Sequence, residues 1–216
     1  MNDPAAMVAA LSGSDPASKL EAARWLAEEA CRESSKIREV WIAKPAVAAA
    51  LVATLADPDA AIAENALIAL AEISRRYQRD PAGFPAVLPL LRSKRQLTRR
   101  WAVTAAALLG GEKSLDAVLS LFRDRAAGVR DSAVSAAHRL VTEGLLSSDS
   151  RDRFQRAAVP LLTDPDFEVR GRAANLLRDL GARPDLRELQ QALDAETNPH
   201  TRTSLQQAIV AIRGRK

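Results

Sequence analysis

Residues 162–180 read "LTDPDFEVRGRAANLLRDL". Asp164 opens the motif, the aliphatic Val169 follows five residues later, and Ala or Leu then recurs at helical spacing as far as Leu180. The frame returns at 55–73, "LADPDAAIAENALIALAEI", and at 122–140, "FRDRAAGVRDSAVSAAHRL". There Asp57 and Ile62, or Asp124 and Val129, hold the two marker places. A fourth copy, "LRSKRQLTRRWAVTAAAL" (91–108), fits with Leu97 in the aliphatic place but without the acid. Looser copies occupy 11–30 and 193–212.

A shorter apolar helix is predicted before each copy, at 4–12, 37–55, 84–92, 112–122, 151–162 and 184–193, and the last copy closes on a helix over 199–213. From Asp57 to Ser93, Asp124 and Asp164 the periods are 36, 31 and 40 residues. Gly110-Gly111, Gly144 and Gly181 follow predicted helix ends, where a left-handed residue is wanted. Pro58, Pro165 and Pro199 fall at first-turn positions, and Asp57, Asp164 and Ser93 are the expected N-caps. One helical pair cannot bury its apolar stripe alone, whereas stacked pairs bury it against each other. The expected fold is all-α: a right-handed α-solenoid of about six two-helix units, one domain over 1–216, with first helices on the convex wall and second helices on the concave wall.

The segments "DPDFEVRGRAANLLRDLG" (164–181) and "DRAAGVRDSAVSAAHRL" (124–140) resemble the HEAT repeat, with its Asp, Val-Arg and small-residue second helix. The resemblance implies Asp–Arg pairing between neighbouring repeats, which falls on Asp124, Asp164, Arg130 and Arg170, while Ala63 and Thr98 take the Arg place in two other repeats. "KIREVWIAKPAVAAALVATLADPD" (36–59) is similar to an armadillo unit, in which Glu72 would stand where the family places a peptide-holding asparagine. A protein-binding role is what the resemblance implies.

Composition narrows the alternatives. Hydrophobic residues make up 47% of the 216 and aromatics only 4%, so alanine and leucine carry the core and favour closely packed helices over sheet. The opening residues show no basic segment followed by an apolar run, and no stretch reaches the roughly 18–20 apolar residues that span a bilayer. A cytoplasmic protein without a membrane partner is expected. The single cysteine, Cys31, excludes an internal disulfide and is expected to be a buried, inert thiol. His138 is expected on a solvated face and His200 at a helix start. No phosphate loop, paired-acid motif or zinc spacing occurs, so no catalytic residue, cofactor or metal is assigned.

Charge is unevenly spread. Residues 1–74 hold 6 Lys/Arg against 11 Asp/Glu, residues 75–130 hold 12 against 4, and residues 131–216 hold 13 against 12. The excess centres on "LLRSKRQLTRRWAVTAAALL" (90–109). Lys94 and Arg95 fall at the start of its helix, with Arg99 and Arg100 behind, where cations are unfavourable by about 0.3–1 kcal/mol each. Trp101 shares a face with Leu97, Ala105 and Leu108 and is expected in the core. Against a functional patch stands the chain's habit of 25 Arg to 6 Lys, with arginine the ordinary surface residue.

The function expected is a non-enzymatic scaffold binding an acidic protein partner along the concave groove. Its contact residues would be Arg92, Lys94, Arg95, Arg99 and Arg100, extended by Arg130 or Arg172. Nucleic acid held through phosphates is an alternative partner, although the acidic first third opposes it. Some HEAT-like solenoids excise alkylated bases with tryptophans and an acid, a remoter alternative for which Trp25, Trp41, Trp101, Glu64 and Asp131 would be the residues.

Overall fold

The computed structural model describes residues 3–32, 44–77, 79–144, 146–180 and 186–214. Every regular element among them is helical, and they divide into two compact units, 1–110 and 111–216.

In the first unit α1 (Pro4–Ser12) and α2 (Pro16–Cys31) form one pair, α3 (Pro45–Thr54) and α4 (Ala60–Arg76) a second. The third joins α5 (Phe84–Val87), prolonged by a 3-10 turn over Leu88–Arg92, to α6 (Gln96–Gly110). The longer helices stack in order, α2 on α4 and α4 on α6. Alanine makes that approach possible: Ala22, Ala23, Ala66, Ala69, Ala102, Ala105 and Ala106 are fully enclosed, interleaved with Leu26, Leu67, Leu70 and Ile73. Small residues at the contact bring helix axes together, while the larger aliphatics fill the gaps and contribute about 1.5–3 kcal/mol each on burial.

The second unit repeats the scheme with α7 (Leu115–Ser120), α8 (Ala127–Thr142), α9 (Ser148–Ala158), α10 (Phe167–Leu180), α11 (Leu186–Ala195) and α12 (Pro199–Arg213). Here α8 stacks on α10 and α10 on α12. Phe122 and Phe154 stack with ring centroids 6.1 Å apart. The carboxylate of Glu112 clamps the start of α9, accepting from the Ser147 amide at 2.9 Å and from the Ser147 and Ser150 hydroxyls at 2.5 and 2.6 Å. Those hydroxyl donors, with the amide, hold its pKa down to about 2.

Gly111 and Gly144 have φ of 52° and 68°, the left-handed backbone expected after a helix end. Gly181 lies outside the described residues, as do 33–43, which contain Trp41 and the first part of the helix expected over 37–55. The expected caps shift by two residues. Asp59 and Asp166, not Asp57 and Asp164, accept first-turn amides of α4 and α10. Pro58 and Pro165 consequently sit in the turns before those helices, whereas Pro199 occupies the first helical position of α12. No helix among the described residues is long and apolar enough to cross a membrane.

Candidate functional site

Why the caps shift is visible in what Asp57 and Asp164 do instead. Each turns one oxygen to the amide two residues on, at 2.9 Å in both cases, and binds a cation from the preceding repeat, Asp57 through its other oxygen and Asp164 through both. Arg130 meets Asp164 with two hydrogen bonds, Nε at 2.7 Å and Nη2 at 2.6 Å, while its Nη1 donates to the Asp124 carbonyl six residues back at 2.9 Å. Arg170 repeats the geometry: two bonds to Glu196 at 2.6 and 2.8 Å, and Nη1 on the Asp164 carbonyl at 2.8 Å. Lys19 supplies the first-unit version, with Nζ 3.0 Å from Asp57.

These pairs are fork-on-carboxylate bonds in a partly enclosed setting, the strong form of ionic hydrogen bond. Their electrostatics agree. The Asp164 carboxylate pushes the Arg130 guanidinium up, and the Arg170 bonds, opposed by burial, hold Glu196 down to about 2. The pairing implied for Arg130 and Asp164 is present, and Arg170 finds its acid in Glu196. The repeat-6 acid is a glutamate in a loosely matching segment, but counting six residues from it gives Arg202, whose Nη1 donates to the Glu196 carbonyl at 2.7 Å. The same count from Gly13 gives Lys19.

This register corrects the third repeat. Six residues after Ser93 stands Arg99, not Thr98, and its Nη1 donates to the Ser93 carbonyl at 2.9 Å as Arg130 and Arg170 do to theirs. Arg99 is 5% exposed, Thr98 is buried in the aliphatic place, and Leu97, expected there, is 41% exposed. Ser93 replaces the acid that would have fixed the count. Between the second and third repeats both members of the usual pair are missing, Ala63 standing for the cation and Ser93 for the acid. A pair of reversed polarity takes over: Arg95 Nε and Nη2 donate to the buried Glu64 at 3.1 and 2.9 Å, and the Thr98 hydroxyl donates to it at 2.8 Å.

The seven basic residues singled out from the sequence thus separate. Arg99 is buried and bonded to the turn before its own helix, Arg130 pairs with the next repeat, and Arg172 is ion-paired to Asp131. Arg95 spans two tasks, paired to Glu64 yet with half its side chain exposed. Arg92, Lys94 and Arg100 are exposed around the α5–α6 turn. The cation at the start of α6 is therefore offset by a carboxylate from α4 as well as by solvent.

In the second unit, side chains from α8, α10 and α12 line an open groove of about 320 Å³, among them Ser135, His138, Arg172, Asn175, His200 and Gln207. An adjoining recess of about 170 Å³ adds Phe167 and Glu168. His138 is half-buried and paired instead of freely solvated: its Nε2 lies 2.5 Å from Asp179 Oδ2, a partner 41 residues away. Burial raises the Asp179 pKa, but hydrogen bonds from Arg178 and His138 outweigh it, leaving that carboxyl below its ordinary range. His200 does start α12. Trp101, expected in the core, is half-buried, and the first-unit positions equivalent to Arg172, Ser135 and Asn175 are Asn65, Trp101, Ile68 and Thr104.

The remaining expectations resolve by contact. Cys31, at the end of α2, is exposed, with its thiol pushed up by partial burial and the Glu72 charge. Glu64 is hydrogen-bonded to Arg95 and Thr98, and Asp131 is ion-paired to Arg172. Among the described residues no group of three His, Cys, Asp or Glu side chains could hold a metal ion.

Comparison with known proteins accords with the geometry. Residues 48–138 match the family model of HEAT repeats. No curated protein matches the sequence. Among solved structures, the crystal structure of an engineered protein is similar at a TM-score of 0.76 and 22% identity, covering 99% of this chain and 97% of that one. A designed armadillo repeat protein in complex with the peptide (KR)4 gives 0.75 at 19% identity, over 98% of this chain and 100% of that one. Computationally designed armadillo repeat proteins for modular peptide recognition give 0.71 at 20% identity, over 96% and 98%. Residues 48–138 are thus similar to the HEAT repeats, and the chain takes the armadillo/HEAT-like helical-repeat fold.

Proposed function

We propose that this protein is a non-enzymatic scaffold, acting as a single repeat domain, that binds an acidic protein partner at the α5–α6 turn. The fold is typical of protein-binding scaffolds. The observation that carries the proposal is the sorting of the basic residues: Arg99 is buried against its own turn and Arg130 pairs with the next repeat, yet Arg92, Lys94, Arg95 and Arg100 remain exposed around one turn. An incoming carboxylate would meet both the exposed positive charge of this turn and the amide end of α6.

The test is affinity purification with identification of co-purifying proteins, repeated with Arg92→Glu, Lys94→Glu and Arg100→Glu combined. The expected result is loss of an acidic partner from the variant while its helical content is unchanged. Retention of every partner at wild-type affinity removes the assignment. Duplex and single-stranded DNA are titrated in parallel at about 50 mM salt; tight binding that collapses as salt rises, without sequence preference, would assign the turn to phosphates instead.

A further inference from the structure

Surface charge steers a partner towards a site more than it holds the partner there. The α5–α6 turn is cationic, but the face of α6 that runs on from it is largely apolar. Leu97 is 41% exposed. Trp101, one turn on, is half-buried, and the exposed Arg100 lies between them in sequence. Residues three and four apart share a helix face, so Leu97, Arg100, Trp101 and the half-buried Thr104 form one stripe. Helix α4 stacks on α6, and at the register place of Thr104 it carries Ile68, also half-buried. A lone exposed leucine is ordinary. A leucine and a tryptophan on one face, with an isoleucine on the stacked helix, make an apolar patch, and patches of that kind mark contact surfaces.

The cationic edge of this patch is held in place. The Glu64 carboxylate, 7% exposed, accepts from Arg95 Nε and Nη2 at 3.1 and 2.9 Å and from the Thr98 hydroxyl at 2.8 Å. That fork fixes the guanidinium while 53% of the Arg95 side chain stays exposed. A cation already ordered loses little freedom when a second carboxylate arrives. Arg92 and Lys94 are exposed in the same turn.

Nucleic acid suits the surface less well. Unpaired bases are held by a succession of aromatic faces, whereas here one tryptophan has aliphatic neighbours. Residues 1–74, with 11 Asp/Glu to 6 Lys/Arg, oppose a phosphate chain. A polypeptide with an aliphatic side chain among acids matches both parts of the surface, and tryptophan and arginine are the residues that most often anchor such contacts.

Resting on the acidic-partner reading of the turn, we propose that the partner presents a leucine-sized aliphatic side chain flanked by acids. The acids meet Arg92, Lys94, Arg95 and Arg100, and the aliphatic side chain seats on Leu97 and Trp101.

The full chain, labelled with ¹⁵N, is titrated with two glutamate peptides of equal charge, one with a central leucine and one with a central serine, and with oligothymidylate. The Trp101 indole N–H, assigned by its loss in Trp101→Phe, is the reporter. It should shift saturably with the leucine peptide, which should bind about tenfold or more tightly than the serine peptide. Added salt weakens both but should leave their ratio standing, because only the charged part is screened. Leu97→Gln, at a position already exposed, should keep the helical content and bring the leucine peptide down to the serine peptide's affinity. Equal wild-type affinity for the two peptides, with both lost on combining Arg92→Glu, Lys94→Glu and Arg100→Glu, overturns the apolar anchor and keeps the acidic-partner reading. Binding of both peptides undiminished by that combination overturns the reading and the anchor together. A leucine preference that survives Leu97→Gln, no saturable binding of either peptide, or tighter binding of oligothymidylate also overturns the inference.

Discussion

Glu196 shows how one carboxylate can bind two repeats together. Its side chain is almost wholly enclosed, takes both bonds of the Arg170 fork, and accepts the Thr197 and Asn198 amides at 2.9 and 2.8 Å. Glu196→Gln keeps the volume but replaces an ionic fork with a neutral amide facing a guanidinium, at an expected cost of about 2 kcal/mol at pH 7. The sign of the pH dependence follows from the depressed pKa. A carboxyl at about 2 in the folded state and ~4.3 unfolded contributes stability that is fully present above ~4.3 and lost as pH falls through about 2. Urea unfolding of wild type and variant between pH 7 and pH 2 should therefore show curves that stay parallel down to about pH 4.5 and converge below it. A gap that persists at pH 2 would mean that the loss is one of packing and not of charge.

Among the elements, the second helix of each repeat carries both the stacking and the inner face, and glycine marks where one helix comes close to another group. Gly171 lies within α10, and a Cβ there would meet nothing nearer than Thr201 Oγ1 at 3.6 Å, ordinary contact. Gly171→Ala should stabilise by about 0.5–1 kcal/mol through helix propensity. Gly110 ends α6 against the Phe84 ring, 2.6 Å from the site of a Cβ, so Gly110→Ala should destabilise by about 1–3 kcal/mol as Phe84 is displaced. Melting temperatures check both, upward for the first and downward for the second, at about 2–4 °C per kcal/mol in a chain of this size. The helix pairs themselves were legible in the sequence, because alanine and leucine periodicity is local and the turns carry Pro, Asp and Gly. The count within the third repeat was not, because Ser93 removes the acid that marks it, and Leu97 and Thr98 were read one place early. Caps were misplaced for a related reason: Asp57 and Asp59, or Asp164 and Asp166, are equally good cap residues locally. Only the cation from the neighbouring repeat decides between them. His138 was misjudged because its partner, Asp179, lies on another helix 41 residues on, beyond the reach of any spacing rule.

At the scale of the molecule, the distribution of aromatic residues offers a direct test of the single repeat domain. All three tryptophans, Trp25, Trp41 and Trp101, lie within residues 1–110, so tryptophan fluorescence reports the first unit alone, whereas far-UV circular dichroism reports helices of both. In a repeat protein, stability is a sum of intrinsic repeat terms and nearest-neighbour terms, and a loss at one end spreads only as far as the couplings carry it. Glu196→Gln sits in the last repeat of the second unit, far in sequence from every tryptophan. In a single cooperative domain the fluorescence and dichroism midpoints of the wild type coincide, and the substitution lowers both by the same amount. Should the fluorescence midpoint stay fixed while the dichroism curve broadens or splits, the two compact units unfold independently and the chain counts as two domains. The fluorescence trace decides the matter, since it alone is blind to the repeat that has been weakened.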